Sequence, residues 1–588
     1  MARPATAWAP EPLRVDLAAA AAAAAVTMAV AVWACGGPDI LTGRPLKFLG
    51  DAVFHYVLAK SALDDPWTWH AHRLGAPYGA SLAAFGVVLP LETALMKIVG
   101  VTTTDPVALL NRTWVLLVGL GAAGGYAASR MLGLGRPAAF VCGCLFAAAP
   151  PTFLRNVTHF NLHTTFVPFP AAMAALVASG RVTALRPRTF LAACAGCAAA
   201  ALGYVYWPFF HALLLVSALA VAGLNRLGDS VPRGLVCLAI VVIAAALNLA
   251  PTLASWVRDG TPATLDYKGP EQADVFGLRI RDLVVPSSDS LVPPLAAVGR
   301  AIDRVDWPLP SESRLSKLGL AATAGFLVAV AVLLGWTPPV EPALRPVVRA
   351  AASLVLVLVL VAVPGGFGSI FNAIVTPQFR CYNRVAAPLA FLSLVTAGGC
   401  LERLLAARVH RTWLVAGAWG GVLACGFLDQ NLAAATRARA VDTRHERDRV
   451  ASFVAAVEAT LPADATVCML PFTPFPLDPG RGAMRNFDHA KAYLFSQRAR
   501  WSWPTFGPRH ERLLAALGPP DDAGFVGRIR GAGYGFVWLD RAAPPAEVDV
   551  IEAAIDAAGG RLAHDDPAGR YRLYDLGGVP PEPLGADR

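Results

Sequence analysis

Long apolar runs separated by short polar segments occupy most of the chain up to Asp429. A membrane-spanning helix needs about 20 apolar residues, with a range of about 17–25. By this criterion we predict eleven spans, near residues 17–36, 108–129, 137–153, 161–179, 189–206, 208–224, 235–257, 318–336, 347–364, 385–405 and 412–428. The run at 82–100 is also apolar, but Pro90, Glu92 and Lys97 interrupt it. The pattern predicts a mostly α-helical, polytopic membrane protein.

The basic residues between these runs predict the orientation of the helices. Short cytoplasmic loops of membrane proteins are enriched in Lys and Arg. Suppose that the N-terminus is cytoplasmic and that residues 82–100 do not cross the membrane. The basic clusters then all face the cytoplasm: 130–136, 181–188, 226–233, 345–349 and 403–411. We therefore predict that 82–100 is a re-entrant or interfacial helix. The first apolar run is longer than a signal-peptide core of about 7–15 residues, which predicts a retained anchor.

Four polar segments then lie on the outer side. We call them the first segment (37–107), the second (150–161), the third (258–317) and the fourth (365–384). After Asp429 the composition becomes that of a soluble domain, with a charged helix predicted over 441–460 and alternating strands and helices after it. This alternation predicts a small α/β domain. We divide the chain into a transmembrane domain, 1–429, with outer loops 37–107 and 258–317, and an extracytoplasmic α/β domain, 430–588.

Composition supports the membrane assignment. Of the 588 residues, 55% are hydrophobic and only 15% are charged, whereas soluble domains carry about 25% charged residues. The formal net charge of +9 needs no nucleic acid as a partner, because the arginines cluster in loops that set topology. Most of the ten cysteines lie in or beside apolar runs, where packing in the membrane explains them.

Asp51 is the main candidate for chemistry, because it follows the first span at the predicted membrane edge. It fits a general base that accepts a proton from an attacking hydroxyl. The alternatives are a solvated loop acid or a helix N-cap. His55 lies one helical turn further on and fits a residue that orients this carboxylate or binds substrate. An interfacial histidine without a catalytic role is the alternative.

Two pairs of cationic or imidazole side chains have a four-residue spacing near outer span ends. They are Arg155 with His159 and Arg380 with Arg384. Arginine offers a bidentate fork to phosphate oxygens, and we favour Arg380 and Arg384 as a lipid-phosphate site, with Arg155 second. Arginines that snorkel to lipid headgroups are the alternative. The pair Asp64-Asp65 could bind a divalent ion, but such acids before a proline more often begin a helix.

The order of several short motifs resembles the GT-C superfamily of polytopic membrane glycosyltransferases, in particular its YfhO-like bacterial branch. The motifs are Gly50–His55 after the first span, Gly75–Ser81 leading into Pro90-Leu91, Ser129–Arg136 with Pro150-Pro151, Thr158–Leu162 and Arg384–Pro388. The resemblance covers most of residues 15–430. The soluble domain that follows is also similar to the domains appended to such enzymes.

This resemblance implies an inverting glycosyltransferase of the plasma membrane. The enzyme moves a sugar from a polyprenyl-phosphate donor to a glycan, lipid or protein acceptor of the cell envelope. It implies that Asp51 acts on the acceptor, and we expect His55, Arg155, His159, Arg380 and Arg384 to bind substrate. Many members carry a second acid in the first or next outer loop, whereas this chain has His159 in its second segment. We therefore predict no cofactor, with a divalent metal as the alternative.

Two other classes of function fit a polytopic chain. A flippase or transporter of lipid-linked sugars commonly has internal repeats and charges in mid-span, and the sequence shows neither. A non-catalytic assembly protein that binds envelope glycan through 430–588 would not need Asp51. The activity of an Asp51→Asn variant therefore separates this class from an enzyme.

Overall fold

The computed structural model describes residues 13–265, 268–305, 312–409, 411–430, 440–476 and 480–577. Up to residue 430 its helices are α1 Leu13–Ala34, α2 Asp51–Asp64, α3 Pro90–Gly100, α4 Pro106–Met131, α5 Arg136–Ala147, α6 Pro150–Arg155, α7 Pro168–Ala178, α8 Pro187–Ala201, α9 Tyr206–Leu224, α10 Val231–Asp259, α11 Gln272–Val275, α12 Ile280–Val284, α13 Pro293–Asp303, α14 Leu320–Leu333, α15 Arg345–Ala362, α16 Phe367–Ile374, α17 Ala386–Arg408 and α18 Thr412–Asp429. Two short strands, β1 His70–Ala71 and β2 Ala80–Ser81, pair antiparallel in the first segment.

Within the described residues, eight helical stretches are long and apolar enough to cross a membrane. They are α1, α4, α9, α10, α15, α17, α18 and the stretch Arg136–Leu162, which joins α5, α6 and a 3₁₀ turn. The other three predicted spans form shorter helices, α7 with 11 residues, α8 with 15 and α14 with 14. The run 82–100 forms a 3₁₀ turn and then α3, whose 11 residues extend only about 16 Å. The prediction of a mostly helical, polytopic membrane protein is confirmed.

Small residues allow the central helices to approach closely. A Cβ atom on Gly143 of α5 would lie 2.5 Å from the carbonyl oxygen of Ala122 on α4. A Cβ on Gly325 of α14 would lie 1.8 Å from the carbonyl oxygen of Ser393 on α17. Helices in lipid associate largely through such van der Waals packing of small residues. These contacts fix the bundle whose loops carry the candidate site residues.

The C-terminal region folds as the predicted α/β domain. Its helices are α19 Ala440–Thr460, α20 Ala490–Phe495, α21 Pro508–Leu517, α22 Phe525–Gly531 and α23 Pro545–Ala557, and its strands are β3 Thr466–Leu470, β4 Arg500–Trp501, β5 Phe536–Asp540, β6 Arg561–Asp565 and β7 Tyr571–Asp575. The sheet order is β4-β3-β5-β7-β6. Strand β3 runs parallel to β4 and β5, whereas β7 pairs antiparallel with β5 and β6. The short strand β4 and the short helix α20 were not predicted, because their sequences show no clear pattern.

The first segment adds backbone hydrogen bonds to the open edge of this sheet beside β4. The amide of Trp501 donates to the carbonyl of Arg73 at 2.9 Å, and the amide of Ala76 donates back to the carbonyl of Trp501 at 2.9 Å. The guanidinium of Arg73 also bonds Asp64 at the end of α2 and the carbonyl of Ala499. Pairing satisfies polar groups that an edge strand otherwise exposes. The soluble domain therefore holds the first segment in place.

Candidate functional site

Asp51 is the first residue of α2 and faces the second segment. Gly50 is the N-cap, with a φ of +58° that favours glycine, and no side chain caps this helix. The alternative in which Asp51 caps the helix is therefore wrong, and its carboxylate is left for other contacts. Nε2 of His159 lies 3.6 Å from Oδ2 of Asp51. The structure thus brings together a carboxylate and an imidazole that stand 108 residues apart.

Arg155 and Arg384 converge on a carboxylate that the sequence analysis missed. Nη1 of Arg155 bonds Oε2 of Glu312 at 3.1 Å, and Nη2 of Arg384 lies 4.0 Å from the same oxygen. Nη2 of Arg155 also donates to Oδ1 of Asn383 at 3.4 Å. Glu312 lies in the third segment between Ser311 and Ser313. Nothing in that local pattern distinguishes it from a solvated acid.

The charges of this cluster act on each other. Burial alone would raise the pKa of Glu312, but the positive charges of Arg384 and Arg155 outweigh it and lower that pKa to about 2. Burial raises the pKa of Asp51, and the negative charge of Glu312 raises it further, against Lys47, Arg380 and Arg384. Half of the Asp51 side chain is exposed, but protein surrounds the remainder and removes part of its hydration. A raised pKa suits a general base.

Arg384 retains hydrogen-bond donors for another group. Its side chain is only 9% exposed, and its guanidinium carbon lies 4.3 Å from the ring centroid of Tyr206. Nε and Nη1 are buried and have no hydrogen-bond partner within the part of the chain that the structure describes. Unsatisfied buried donors are costly, so these two N–H groups mark a place for an anion or a water molecule.

Arg380 contacts other side chains than Arg155 and Arg384 do. Its Nη1 donates to Oε1 of Gln272 at 3.3 Å, and its guanidinium lies over the ring of Phe276 at 5.3 Å. Arg155 and Arg384 thus share Glu312, and the positive charges of Arg380 and Arg384 both act on Asp51. Sequence spacing could not show this, because a short irregular stretch and a 3₁₀ turn at Tyr382–Val385 do not keep residues four apart on one face.

His55 is buried in the interior of the first segment, beneath the site. Its ring packs against Phe160 at a centroid distance of 6.1 Å. Complete burial lowers the pKa of His55 to about 4, so the imidazole is neutral at pH 7. This position suits a residue that holds the turn Asn156–Leu162, and with it His159, against α2. It does not suit direct contact with a large substrate.

Two cavities of about 20 Å³ each adjoin Arg155. The first is lined by Arg155, His159 and His163, and the second by Arg155, Asn383 and Arg384. A cavity of this size holds about one water molecule when polar groups line it. The guanidinium groups of Arg155 and Arg384 thus border small spaces that could each hold a water molecule.

A second buried acid borders the first of these cavities through His163. Glu92, from the interrupted run 82–100, is fully buried, and its Oε1 lies 2.5 Å from Nε2 of His163. Nδ1 of His163 lies 2.9 Å from Oγ1 of Thr165, which donates to the carbonyl of Leu117. The sequence offered a signal here, since a glutamate inside an apolar run needs a partner, but not the identity of that partner.

The acids Asp64 and Asp65 both have side-chain partners within the protein. They end α2 rather than begin a helix, and Asp64 pairs with Lys60 at 3.0 Å and with Arg73. Asp65 accepts from Ser61 at 2.9 Å and pairs with His72. Throughout the described ranges, no three His, Cys, Asp or Glu side chains cluster closely enough to hold a metal ion.

Comparison with known proteins gives structural similarity only. No protein-family model matches the chain, and no curated protein matches it. Among solved structures, the arabinofuranosyltransferase AftD from Mycobacteria matches with a TM-score of 0.46 and 15% identity over 95% of this chain, which spans 40% of that protein. The oligosaccharyltransferase AglB from Archaeoglobus fulgidus, in complex with an inhibitory peptide and a dolichol-phosphate, matches with a TM-score of 0.42 and 14% identity over 95% of this chain and 74% of that protein.

A third structure matches along both chains. ArnT from Cupriavidus metallidurans, bound to undecaprenyl phosphate, has a TM-score of 0.51 and 11% identity over 95% of this chain and 99% of that protein. At such low identity the match establishes the fold and leaves the substrates open. The chain therefore shares the overall fold of ArnT, which confirms the predicted GT-C-like fold.

Proposed function

We propose that the protein is an inverting membrane glycosyltransferase that uses a polyprenyl-phosphate-linked sugar. The acceptor is a hydroxyl group of a cell-envelope glycan, lipid or protein on the outer face of the plasma membrane. The observation that carries the proposal is the cluster of Asp51, His159, Arg155 and Arg384 at one end of the bundle. This cluster combines a proton acceptor with a cationic group for a phosphate.

Asp51 supplies the proton acceptor. The acceptor hydroxyl gives its proton to the Asp51 carboxylate while its oxygen forms a bond to the anomeric carbon of the donor. The bond from that carbon to the phosphate oxygen breaks, and the polyprenyl phosphate leaves with the electron pair. A single displacement from the face opposite the phosphate inverts the anomeric configuration. His159, 3.6 Å from Asp51, orients the carboxylate in this scheme.

Arg384 and Arg155 stabilise the leaving phosphate. Arginine donates charge-assisted hydrogen bonds to phosphate oxygens, and Nε and Nη1 of Arg384 are buried donors with no partner in the described chain. Oε2 of Glu312 lies between the two guanidinium groups, 3.1 Å from Arg155 and 4.0 Å from Arg384, and holds them in place. Because negative charge on the phosphate grows as the glycosidic bond breaks, these donors act most strongly in the transition state.

Binding of undecaprenyl phosphate tests the phosphate site without knowledge of the sugar. We expect Arg384→Gln, and to a smaller degree Arg155→Gln, to weaken binding of this lipid to the protein in nanodiscs by about tenfold or more. Arg403→Gln is the matched control, because Arg403 forms an exposed ion pair with Glu341 at 2.9 Å and should bind as the wild type does. Equal affinity of Arg384→Gln and the wild type would contradict the assignment.

Transfer itself is tested with the lipid that co-purifies with the protein. Mass spectrometry should identify a polyprenyl-phosphate sugar, and incubation with envelope acceptors should release free polyprenyl phosphate. A flippase would move the same lipid between leaflets without releasing polyprenyl phosphate. A non-catalytic binding protein would leave it unchanged.

A further inference from the structure

A groove of about 600 Å³ lies between the first segment, the end of α10 and the soluble domain. It is separate from the two small cavities beside Arg155. Its lining includes Trp69 and Tyr78 from the first segment, Arg258 and Asp259 from α10, and Phe506 and Arg509 from the soluble domain. Ligand sites commonly enclose about 300–1,000 Å³. Three parts of the chain that are remote in sequence thus form one concave surface.

Hydrogen bonds fix the walls of this groove relative to each other. Oγ1 of Thr252 donates to the carbonyl of Ala83 at 2.9 Å, and Nε1 of Trp256 donates to the carbonyl of Ala84 at 2.9 Å. Nε2 of His510 lies 2.7 Å from the carbonyl oxygen of Gly75. A groove held in this way needs little ordering when a ligand binds, which favours affinity.

The side chains in the groove have the chemistry of a carbohydrate site. Trp69 and Tyr78 are large aromatic residues that remain 39% and 43% exposed, and the C–H faces of sugar rings stack on such surfaces. Nε and Nη2 of Arg258 donate to Oδ2 of Asp259 at 3.0 and 2.8 Å, and Nη2 of Arg509 lies 3.7 Å from Oδ1 of the same carboxylate. These planar polar groups offer donors and acceptors that match vicinal hydroxyls, and their net positive charge also accommodates acidic sugars.

Aromatic rings separate the groove from the candidate catalytic acid. Phe506 in the groove lies 6.0 Å from Phe85, and Phe85 lies 5.5 Å from Phe54 on α2, between ring centroids. Phe54 follows Asp51 by less than one helical turn. A ligand in the groove therefore lies behind these rings rather than against the Asp51 carboxylate. Binding energy from such a remote part of a substrate still contributes to catalysis when it positions the reacting group.

We propose that this groove binds a carbohydrate segment of the acceptor, several sugar rings away from the hydroxyl that reacts at Asp51. The acceptor role rests on the proposed glycosyltransferase function, whereas carbohydrate binding by the groove does not. Trp69 and Tyr78 form the stacking surface, and Arg258, Asp259 and Arg509 bind the hydroxyl or carboxylate groups of the chain.

Binding to an array of bacterial envelope oligosaccharides, with the full-length protein in nanodiscs, tests this inference. We expect the wild type to retain at least one oligosaccharide, and Trp69→Ala and Tyr78→Ala each to lose about tenfold in affinity for it. Trp413→Ala is the matched control, because Trp413 is 64% exposed and does not line the groove. Thermal unfolding of each variant verifies that it folds.

The outcomes separate the groove from the proposed chemistry. Asp51→Asn should retain the oligosaccharide as the wild type does, because Asp51 lies outside the groove. Suppose that Asp51→Asn loses transfer while Trp69→Ala and Tyr78→Ala keep full carbohydrate binding. This result would refute carbohydrate binding in the groove and would still support the proposed glycosyltransferase function. The groove is also refuted if no oligosaccharide binds the wild type, or if native mass spectrometry finds a phospholipid there that Trp69→Ala loses.

Discussion

Replacement of Asp51 by Asn separates catalysis from folding more cleanly than any other change at the site. Asn keeps the size of the side chain and loses its ability to accept a proton. Asp51 caps no helix, and half of its side chain is exposed. His159 lies 3.6 Å away, and burial lowers the pKa of its imidazole to about 3, so this partner is neutral at pH 7. Exposed pairs of this kind contribute at most about 1 kcal/mol. We therefore expect Asp51→Asn to insert, fold and bind undecaprenyl phosphate as the wild type does.

The expected loss of activity is much larger. General-base catalysis contributes about 10²–10⁴-fold, which corresponds to about 2.7–5.5 kcal/mol of the activation free energy. This exceeds the expected change in stability by a factor of about three or more, so partial unfolding cannot explain a loss of this size. The rate constant for transfer under saturating donor should therefore fall by about 10²–10⁴-fold.

The assay follows release of polyprenyl phosphate from the co-purified donor by protein in nanodiscs. Asp39→Asn is the matched control, because Asp39 also lies in the first segment, is 57% exposed and has its cationic partner Arg444 at 3.6 Å. It should keep the wild-type rate. If Asp51→Asn turned over within about threefold of the wild type, Asp51 would not be the base.

Three further predictions concern charge, packing and topology. The wild-type kcat/KM should fall as the pH drops through the raised pKa of Asp51, because a protonated carboxyl cannot accept a proton. Glu312→Gln removes a negative charge that raises the pKa of Asp51, so this acid limb should move to lower pH; an unmoved or upward-moving limb refutes the coupling. Glu92→Ala leaves Nε2 of His163 without its partner, so it should lower the free energy of unfolding by about 1.5–3 kcal/mol. Denaturant unfolding in detergent measures this change, and an unchanged value would show that the pair is not needed for stability. A periplasmic reporter fused after Gly577 should be active, and activity of a cytoplasmic reporter at that position would reverse the predicted topology.

The sequence predicted most of the long helices because hydropathy and length are local properties. It overestimated the length of one span where proline intervenes. The predicted span 161–179 becomes α7 only from Pro168 onwards, because proline suits the first turn of a helix and lacks the N–H that a helix interior needs. The predicted span 137–153 lies within the stretch Arg136–Leu162, which breaks between α5 and α6 because Ala149, the residue before Pro150, is not helical.

The site was only partly predictable. Asp51 stood out because its position relative to the first span can be read from the chain. The pairing of Arg155 with Arg384 through Glu312 could not be predicted, because these residues come from three segments joined only by the packing of the helices. The same holds for the bonds between Arg73 and Trp501, since sheet edges carry no sequence signal for a partner hundreds of residues away.

The pairing of the first segment with the sheet edge can form only after both parts of the chain have been synthesised. Arg73 and Trp501 are separated by 428 residues, and ribosomes add about 5–20 residues per second. The first segment therefore waits about 20–90 s after its own synthesis before its backbone partner exists. During that interval its carbonyl and amide groups at residues 73–76 remain open to other strands. The first segment, which carries Asp51, thus completes its backbone hydrogen bonds only after β4 of the soluble domain has been made.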